Sequence, residues 1–583
     1  MAELYMSATL TQHFLPQRLA DFPTITDALD YAALGETGVN FYDGRCRLTA
    51  VVQYAALRRK ALDMAKRLCG LGLKKGSRVA LVADTNSAFM EVFYGCLYAG
   101  LLPVPLPVPS SLGTHDSYVK KLSNFFKSCD AHAVFAPAEL VPFAKEAAKC
   151  FDMGFIGSAK ELQAGPAPDI LLASVQPDDV AYLQYTSGST RFPRGVTITH
   201  RAAMANLQGM LRDGLGIGPT DRCVSWLPFY HDMGLVGFVL APMASQMSVD
   251  YLRTQDFAMR PRQWLNLISQ NKGTVSFAPP FGYDICSRRL REGEAARFDL
   301  SSWRVAGIGA EPIRDEILER FARQFSVSGF DQKSFVPCYG LAESTLGVCF
   351  SRRDIGIQVD RINRWELERT SQALPFDGID SNAAAVFVNC GSVLPGHELE
   401  IRNDSGRVLP ERQIGRIMLK GPSLMSGYFQ DEDSTQAVLD KAEGWLDTGD
   451  LGYLNNGELF ITGRRKDLLI VRGRNIWPQD IEYLAESQPE IRPGDVIAFL
   501  VPNDTDPEVV VQVQCRITDQ EQRERLVQSL TRLINGEFGL TSRVELVPPH
   551  SLPRTSSGKP SRAEARKRFL QTQSGCELTL AVG

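Results

Sequence analysis

The chain has 583 residues, too many for one hydrophobic core, so two or more domains are expected. Hydrophobic residues make up 44% and charged residues 22%, ordinary values for a soluble globular protein. A net charge of −4 and a pI near 6.1 exclude a general nucleic-acid binder, which needs a basic surface to displace counterions.

The first ten residues, MAELYMSATL, lack a basic segment before an apolar core, so no signal peptide is expected. Leu57, Ala61, Ala65 and Leu68 fall on one helical face, with Gly70 as a C-terminal stop. A strand-like run over 77–82 follows, then a helix-like segment to Gly100 and a third apolar run over Leu101–Leu106. The most apolar early segment, Val92 to Pro109, carries prolines at 103, 105, 107 and 109. A spanning helix needs about 20 mainly apolar residues, so this is core and turn, and no transmembrane segment is expected. The strand–helix rhythm recurs around 131–136, 180–185 and 195–199 and predicts an α/β layered fold with a largely parallel sheet.

After about Arg464 the character changes. Val511, Val513, Cys515 and Ile517 alternate with Gln512, Gln514 and Arg516, the pattern of a half-buried strand. Leu526, Leu530 and Leu533 mark an amphipathic helix with Gly536 near its end. These elements predict a small α+β C-terminal domain of about 120 residues. The domain expectation is therefore 1–465 and 466–583, with the basic run Arg464-Arg465-Lys466-Asp467 as a hinge. The twelve cysteines form no C-x-x-C pair and read as reduced core residues of a cytoplasmic protein. The seven histidines show no H-E-x-x-H spacing, which argues against zinc.

Five short stretches carry chemistry. Tyr185-Thr186-Ser187-Gly188-Ser189-Thr190-Arg191-Phe192-Pro193-Arg194-Gly195 follows an apolar strand with hydroxyls, two glycines and two arginines, the makings of a phosphate cradle. It does not fit the Walker A spacing, and alone it reads equally as a polar surface loop. Tyr339-Gly340-Leu341-Ala342-Glu343 offers an aromatic face and a carboxylate, and Trp445-Leu446-Asp447-Thr448-Gly449-Asp450 ends in an acid after a glycine turn. Gly463-Arg464 comes next, and Pro553-Arg554-Thr555-Ser556-Ser557-Gly558-Lys559 sets one lysine on a Gly/Ser loop. Singly, Glu343 could be a first-turn acid, Asp450 a turn residue and Lys559 a solvated lysine.

In this order and spacing the five resemble the signature motifs of the adenylate-forming enzymes: acyl-CoA synthetases, luciferases and peptide-synthetase adenylation domains. The resemblance runs from about Tyr54 to Arg568. It implies a large layered α/β N-terminal domain, a small mobile α+β C-terminal domain, and ATP with Mg2+ as cofactors. It implies that Thr186, Ser187, Gly188, Ser189, Thr190, Arg191 and Arg194 hold the β- and γ-phosphates, with Thr186 also near the metal. Glu343 would help bind Mg2+, a hard cation suited to oxygen ligands. Tyr339, Gly340, Leu341 and Ala342 would line adenine on one side and Gly309, Ala310, Glu311 and Pro312 on the other. Asp450 would take the ribose hydroxyls with Arg464 beside it, Lys559 would bridge carboxylate and α-phosphate, and Lys466 would be the hinge. His231, with Pro280, Phe281 and Gly282, would wall or gate the acyl site, although a histidine in an apolar segment is by default a satisfied core residue.

Arginine at 191, where most acyl-CoA synthetases carry glycine, is similar to the fatty acyl-AMP ligase branch. The stretches 226–237 and 463–482 are similar to that branch as well. Arg194 departs from the usual lysine; it keeps the charge and offers a planar fork in place of a point charge. The segment 351–380 resembles the insertion of that branch, and its Ile355, Ile357, Val359, Ile362, Trp365 and Leu367 are expected to pack on apolar surface. The resemblance thus implies activation of a medium- or long-chain fatty acid and its transfer to the phosphopantetheine thiol of an acyl carrier protein. A fatty acyl-CoA synthetase and a non-catalytic nucleotide-binding scaffold stand as alternatives.

Overall fold

The computed structural model describes residues 15–109, 115–186, 194–378, 383–471, 474–501, 508–555 and 560–580, with side chains to 573. A nine-stranded sheet forms the floor of the large domain. Its middle runs in the order Phe335–Gly340, Val305–Ile308, Val275–Ala278, Arg222–Ser225, Ser248–Leu252 and Gly38–Tyr42, every pair parallel. These strands read as nearly unbroken buried runs, as parallel strands covered on both faces must. The edges turn antiparallel: Leu48–Gln53 at one side, Gly347–Phe350 and Ser392–Val393 at the other. A second, fully parallel sheet is built from Leu102–Leu106, Arg78–Val82, Ala131–Phe135 and Phe155–Gly157.

The expected parallel rhythm fails at one place. Val180–Tyr185 and Gly195–Thr199 are an antiparallel hairpin, joined by Gly427–Tyr428, because too short a connection separates them for a crossover. Two helix ends also shift. The helix Tyr54–Gly70 includes Gly70, and the left-handed residue that follows is Gly72. The helix Gln520–Phe538 runs through Gly536 and stops at Gly539, whose φ of 59° suits a residue without Cβ. Its buried face is Leu526, Leu530, Ile534 and Phe538, so Ile534 takes the place expected of Leu533.

An antiparallel sheet of Glu398–Arg402, Gly415–Lys420, Trp445–Asn455 and Glu458–Arg464 leads to the small domain. There Val496–Val501, Glu508–Gln514 and Ser542–Val547 form a three-stranded sheet. The strand Glu508–Gln514 is its centre and is covered on both faces, with Val509, Val511 and Val513 in one cluster and Val510 in another. Val510 and Gln514 are buried on the second face as well, while Glu508 and Gln512 stay partly exposed, so the half-burial that alternation predicted holds only in part. The architecture is the one expected, a large mixed α/β domain followed by a smaller one. Among the described residues no helix is long and apolar enough to cross a membrane.

Within 351–380 the expected apolar packing is only partly present. Ile362 and Leu367 are buried, but Ile355, Val359 and Trp365 are 46%, 42% and 50% exposed. The strand Val359–Asn363 pairs with Ala384–Val388 and buries one face only, so Val359 points outward. Ile362, Leu367 and Ala373 share a buried cluster with Trp477, against which Leu468 packs, and charge adds to this join between the segment and the small domain. Arg364 bonds Glu537 at 2.6 Å, and Arg474 pairs with Glu368 while its guanidinium lies 5.1 Å from the Trp365 ring centre.

Candidate active site

The hydroxyl-rich loop is the turn of the 180–199 hairpin. It is closed at its base by Thr186 N–H donating to Arg194 O at 3.1 Å. A Cβ on Gly195 would sit 3.3 Å from the Tyr185 ring, so glycine lets that ring lie across the hairpin. Thr186 is half-buried at the mouth. Ser187, Gly188, Ser189, Thr190 and Arg191 lie outside the described residues. Arg194 stands over the Tyr428 ring, 5.1 Å from its centre, and reaches to 3.7 Å from Asp431.

Across from Arg194, Tyr428 O–H donates to Glu343 Oε1 at 2.8 Å. Glu343 belongs to the single 3-10 turn Ala342–Ser344, and its carbonyl accepts from Met425 N–H at 2.8 Å. The next residue, Thr345, has φ 67° and ψ −60°, and Leu346 N–H closes onto Ser344 O at 2.7 Å. A γ-turn of this hand at a β-branched residue costs about 1–3 kcal/mol and persists only where its surroundings over-determine it. Burial raises the Glu343 carboxyl above its usual range and the nearby Asp232 carboxylate adds to this, while Tyr428 and Arg464 oppose it. A buried carboxylate such as Glu343 suits a hard cation. Among the described residues no group of His, Cys, Asp and Glu could hold a metal alone. A Mg2+ here would therefore be shared with phosphate oxygens, as is usual for that ion.

Just before Glu343 in the chain comes the end of the strand Phe335–Gly340. Tyr339 O–H donates to Asp450 Oδ2 at 2.6 Å. Burial and the Asp450 carboxylate push the Tyr339 phenol well above its ordinary value, so it remains a donor. Asp450 lies opposite Arg464 in the register of Trp445–Asn455 and Glu458–Arg464, with Arg464 Nε 3.6 Å from Oδ1. Thus Tyr339 and Glu343 of one segment meet Asp450 and Arg464 of another, more than a hundred residues on, at one end of two sheets. Gly309-Ala310-Glu311-Pro312 leaves the neighbouring strand, and Ala310 holds φ 67°, a conformation Cβ-bearing residues rarely take. A Cβ on Gly309 would lie 3.0 Å from Cys338 Sγ, which explains a glycine beside the Tyr339 strand.

On the proposed acyl side, His231 caps the short turn Asp232–Gly234 and its Nδ1 lies 2.6 Å from Asp232 Oδ1. Trp226 stacks on Phe257 at 3.6 Å, and Phe281 meets it edge-on at 5.8 Å while remaining 45% exposed. Gly282 lets the helix Pro280–Arg288 close on this cluster, since a Cβ there would stand 3.0 Å from Trp226. In the small domain Lys466 is exposed in the turn after Glu458–Arg464, and Lys559 lies outside the described residues. Three residues beyond it, Arg562 bonds both oxygens of Glu482 and Asp467 Oδ2, tying the start of the last helix to the turn beside Lys466. Sequence reasoning missed Tyr428, Asp232 and Arg562. Arg562, three residues from an expected active lysine, carried a readable signal; Tyr428 carried none.

The two-domain architecture, with the 339–343, 445–450 and 463–464 stretches brought together, agrees with the architecture expected of an adenylate-forming enzyme. A model of the family described as AMP-binding enzyme matches residues 39–429. A Caulobacter vibrioides protein that carries the provisional name acyl-CoA synthetase is 44% identical over 98% of this chain and 99% of its own length. A medium-chain-fatty-acid–acyl-carrier-protein ligase of Moorena producens is 30% identical over 94% of this chain and 96% of its own. A structure solved in a study of fatty acyl-adenylate ligases from E. coli and L. pneumophila superposes with a TM-score of 0.92 at 54% identity, covering 96% of this chain and 100% of that one. The chain belongs to the AMP-binding enzyme family. Within it the expected likeness to the fatty acyl-AMP ligases is borne out, and the enzyme is an ATP-dependent ligase.

Proposed function

We propose that the enzyme activates a medium- or long-chain fatty acid with ATP and then loads it onto the phosphopantetheine thiol of an acyl carrier protein. In the first step a carboxylate oxygen attacks the α-phosphorus, and the bond to the bridging oxygen breaks to release pyrophosphate. In the second, the thiol sulfur attacks the acyl carbonyl and AMP leaves. The convergence of Tyr339, Asp450, Arg464 and Glu343 carries this reading.

In it, Tyr339 and the 309–312 segment hold adenine, and Asp450 accepts from the ribose hydroxyls. Thr186, Arg194 and the loop between them neutralise the β- and γ-phosphates, where preorganised donors act on developing charge. Mg2+, held by Glu343 and phosphate oxygens, would polarise the phosphoryl group. His231 and the aromatic cluster near Phe281 bound the acyl chain. Names of relatives support both the fatty acid and the carrier. The test is exchange of labelled pyrophosphate into ATP: it should depend on fatty acid; no exchange at all would favour the scaffold reading, and exchange with no lipid requirement would contradict fatty-acid activation.

Two variants probe the parts. Asp450→Ala is expected to weaken ATP binding by about 1.5–3 kcal/mol, the worth of a hydrogen bond to a charged group. Calorimetry with unchanged affinity would return Asp450 to an ordinary turn residue. Lys466 serves as the hinge in this reading, because one lysine placement cannot serve both adenylation and thiol entry. Lys466→Pro fixes φ near about −65° and removes an N–H, so it should impair the two half-reactions unequally. Equal loss in a folded variant would count against the hinge.

A further inference from the structure

Glu343 stands on one short turn followed by the strained Thr345, and such a turn fixes a carboxylate only if its neighbours are held. The holding groups lie on two other segments. Thr345 Oγ1 donates to Ser423 O at 2.9 Å, and Met425 N–H donates to Glu343 O at 2.8 Å. Beneath them runs a buried side-chain relay: Ser344 Oγ to Ser423 Oγ at 2.9 Å, and Ser423 Oγ to His397 Nε2 at 2.6 Å. Ser344 and Ser423 have no exposed surface, and His397 is 8% exposed.

The direction of the relay follows from its far end. His397 Nδ1 faces Pro395 O at 3.3 Å, and a carbonyl can only accept, so Nδ1 carries the proton. Nε2 is then an acceptor, and Ser423 O–H must donate to it. Ser423 has one proton, so Ser344 O–H donates to Ser423. The relay therefore reads Ser344 to Ser423 to His397 to Pro395, with each hydroxyl proton assigned. The imidazole is itself pinned: a Cβ on Gly421 would lie 2.2 Å from its Cδ2, so the ring packs against a backbone only glycine can offer.

We propose that His397 is a positioning residue for Glu343, acting through Ser423 and Ser344 to hold the strained turn that presents the carboxylate to Mg2+-bound ATP. The inference rests on the proposed role of Glu343 and deepens it. Nothing in the relay touches the adenine or ribose contacts of Tyr339 and Asp450, so its loss should be felt by the metal-dependent part of nucleotide binding alone.

The experiment measures calorimetric affinity for a non-hydrolysable ATP analogue with and without Mg2+, and for AMP, in Ser423→Ala, His397→Phe and Glu343→Gln. Partners behind a metal-binding residue typically change metal affinity by about 10–100-fold, so Ser423→Ala and His397→Phe should each cut the Mg2+-dependent gain by about tenfold or more, with AMP affinity within about twofold. Ser423→Ala removes one oxygen and keeps the test valid if His397→Phe does not fold. Loss of the gain in Glu343→Gln with full retention in both relay variants would overturn the inference while sparing the role of Glu343. Retention in Glu343→Gln would overturn that role. Equal losses of AMP affinity and metal gain would reduce the relay to a fold support and also overturn the proposal.

Discussion

Lys559→Ala is expected to slow acyl-adenylate formation by about a hundredfold or more, the usual effect of removing an electrostatic donor from a charged transition state. Two anions, a fatty carboxylate and the α-phosphate, approach each other in that step, and in the proposed reading Lys559 is the charge brought to both. The nucleotide contacts lie elsewhere, with Tyr339 bonded to Asp450 and Arg464 beside it on the large domain. ATP affinity should thus change far less than rate. Rapid-quench measurement of adenylate, alongside a binding isotherm, separates the two. Near-normal adenylate formation with lipid substrate would remove Lys559 from the chemistry. Three residues beyond Lys559 in the chain, the Arg562 guanidinium spans Glu482 and Asp467.

The second large effect is expected from the 351–380 segment. Arg364 and Glu368 reach across to Glu537 and Arg474 of the small domain, and Glu368 is nearly enclosed. Hydrogen bonds to charged groups are worth about 1.5–3 kcal/mol each, so removing two shifts a two-state domain equilibrium by about a hundredfold or more. If these contacts restrain the small domain from an arrangement open to coenzyme A, Arg364→Ala with Glu368→Ala should release acyl-CoA synthesis while adenylate formation continues. The measurement is acyl-CoA formed from ATP, fatty acid and coenzyme A. A folded, adenylating double variant that makes none would show that coenzyme A is excluded by some other feature, such as lack of a pocket.

The order of the motifs was legible in the chain because each combines residue types that chemistry requires. Tyr339, Glu343, Asp450 and Arg464 duly meet. What stayed hidden was contact between distant segments. Tyr428 belongs to a two-residue strand whose sequence signals only a turn, yet its hydroxyl holds Glu343. The hairpin at 180–199 read as part of a parallel rhythm because strand propensity carries no information on pairing direction. The 351–380 segment misled in another way. Its apolar residues were read as anchors, and Ile362 and Leu367 do cluster with Trp477, but Trp365 is half-exposed beneath Arg474 and ion pairs share the joining. Hydrophobic pattern locates surfaces that can be buried; it does not say which partner arrives.

The central claim is that the activated acyl group goes to a carrier thiol. The most direct measurement gives the unmodified enzyme ATP, Mg2+, fatty acids of varied length, coenzyme A and a phosphopantetheinylated carrier protein together, and weighs the products. The account predicts a carrier heavier by one acyl group and coenzyme A left unacylated. Abundant acyl-CoA with an unchanged carrier would contradict it and return the enzyme to the acyl-CoA synthetases.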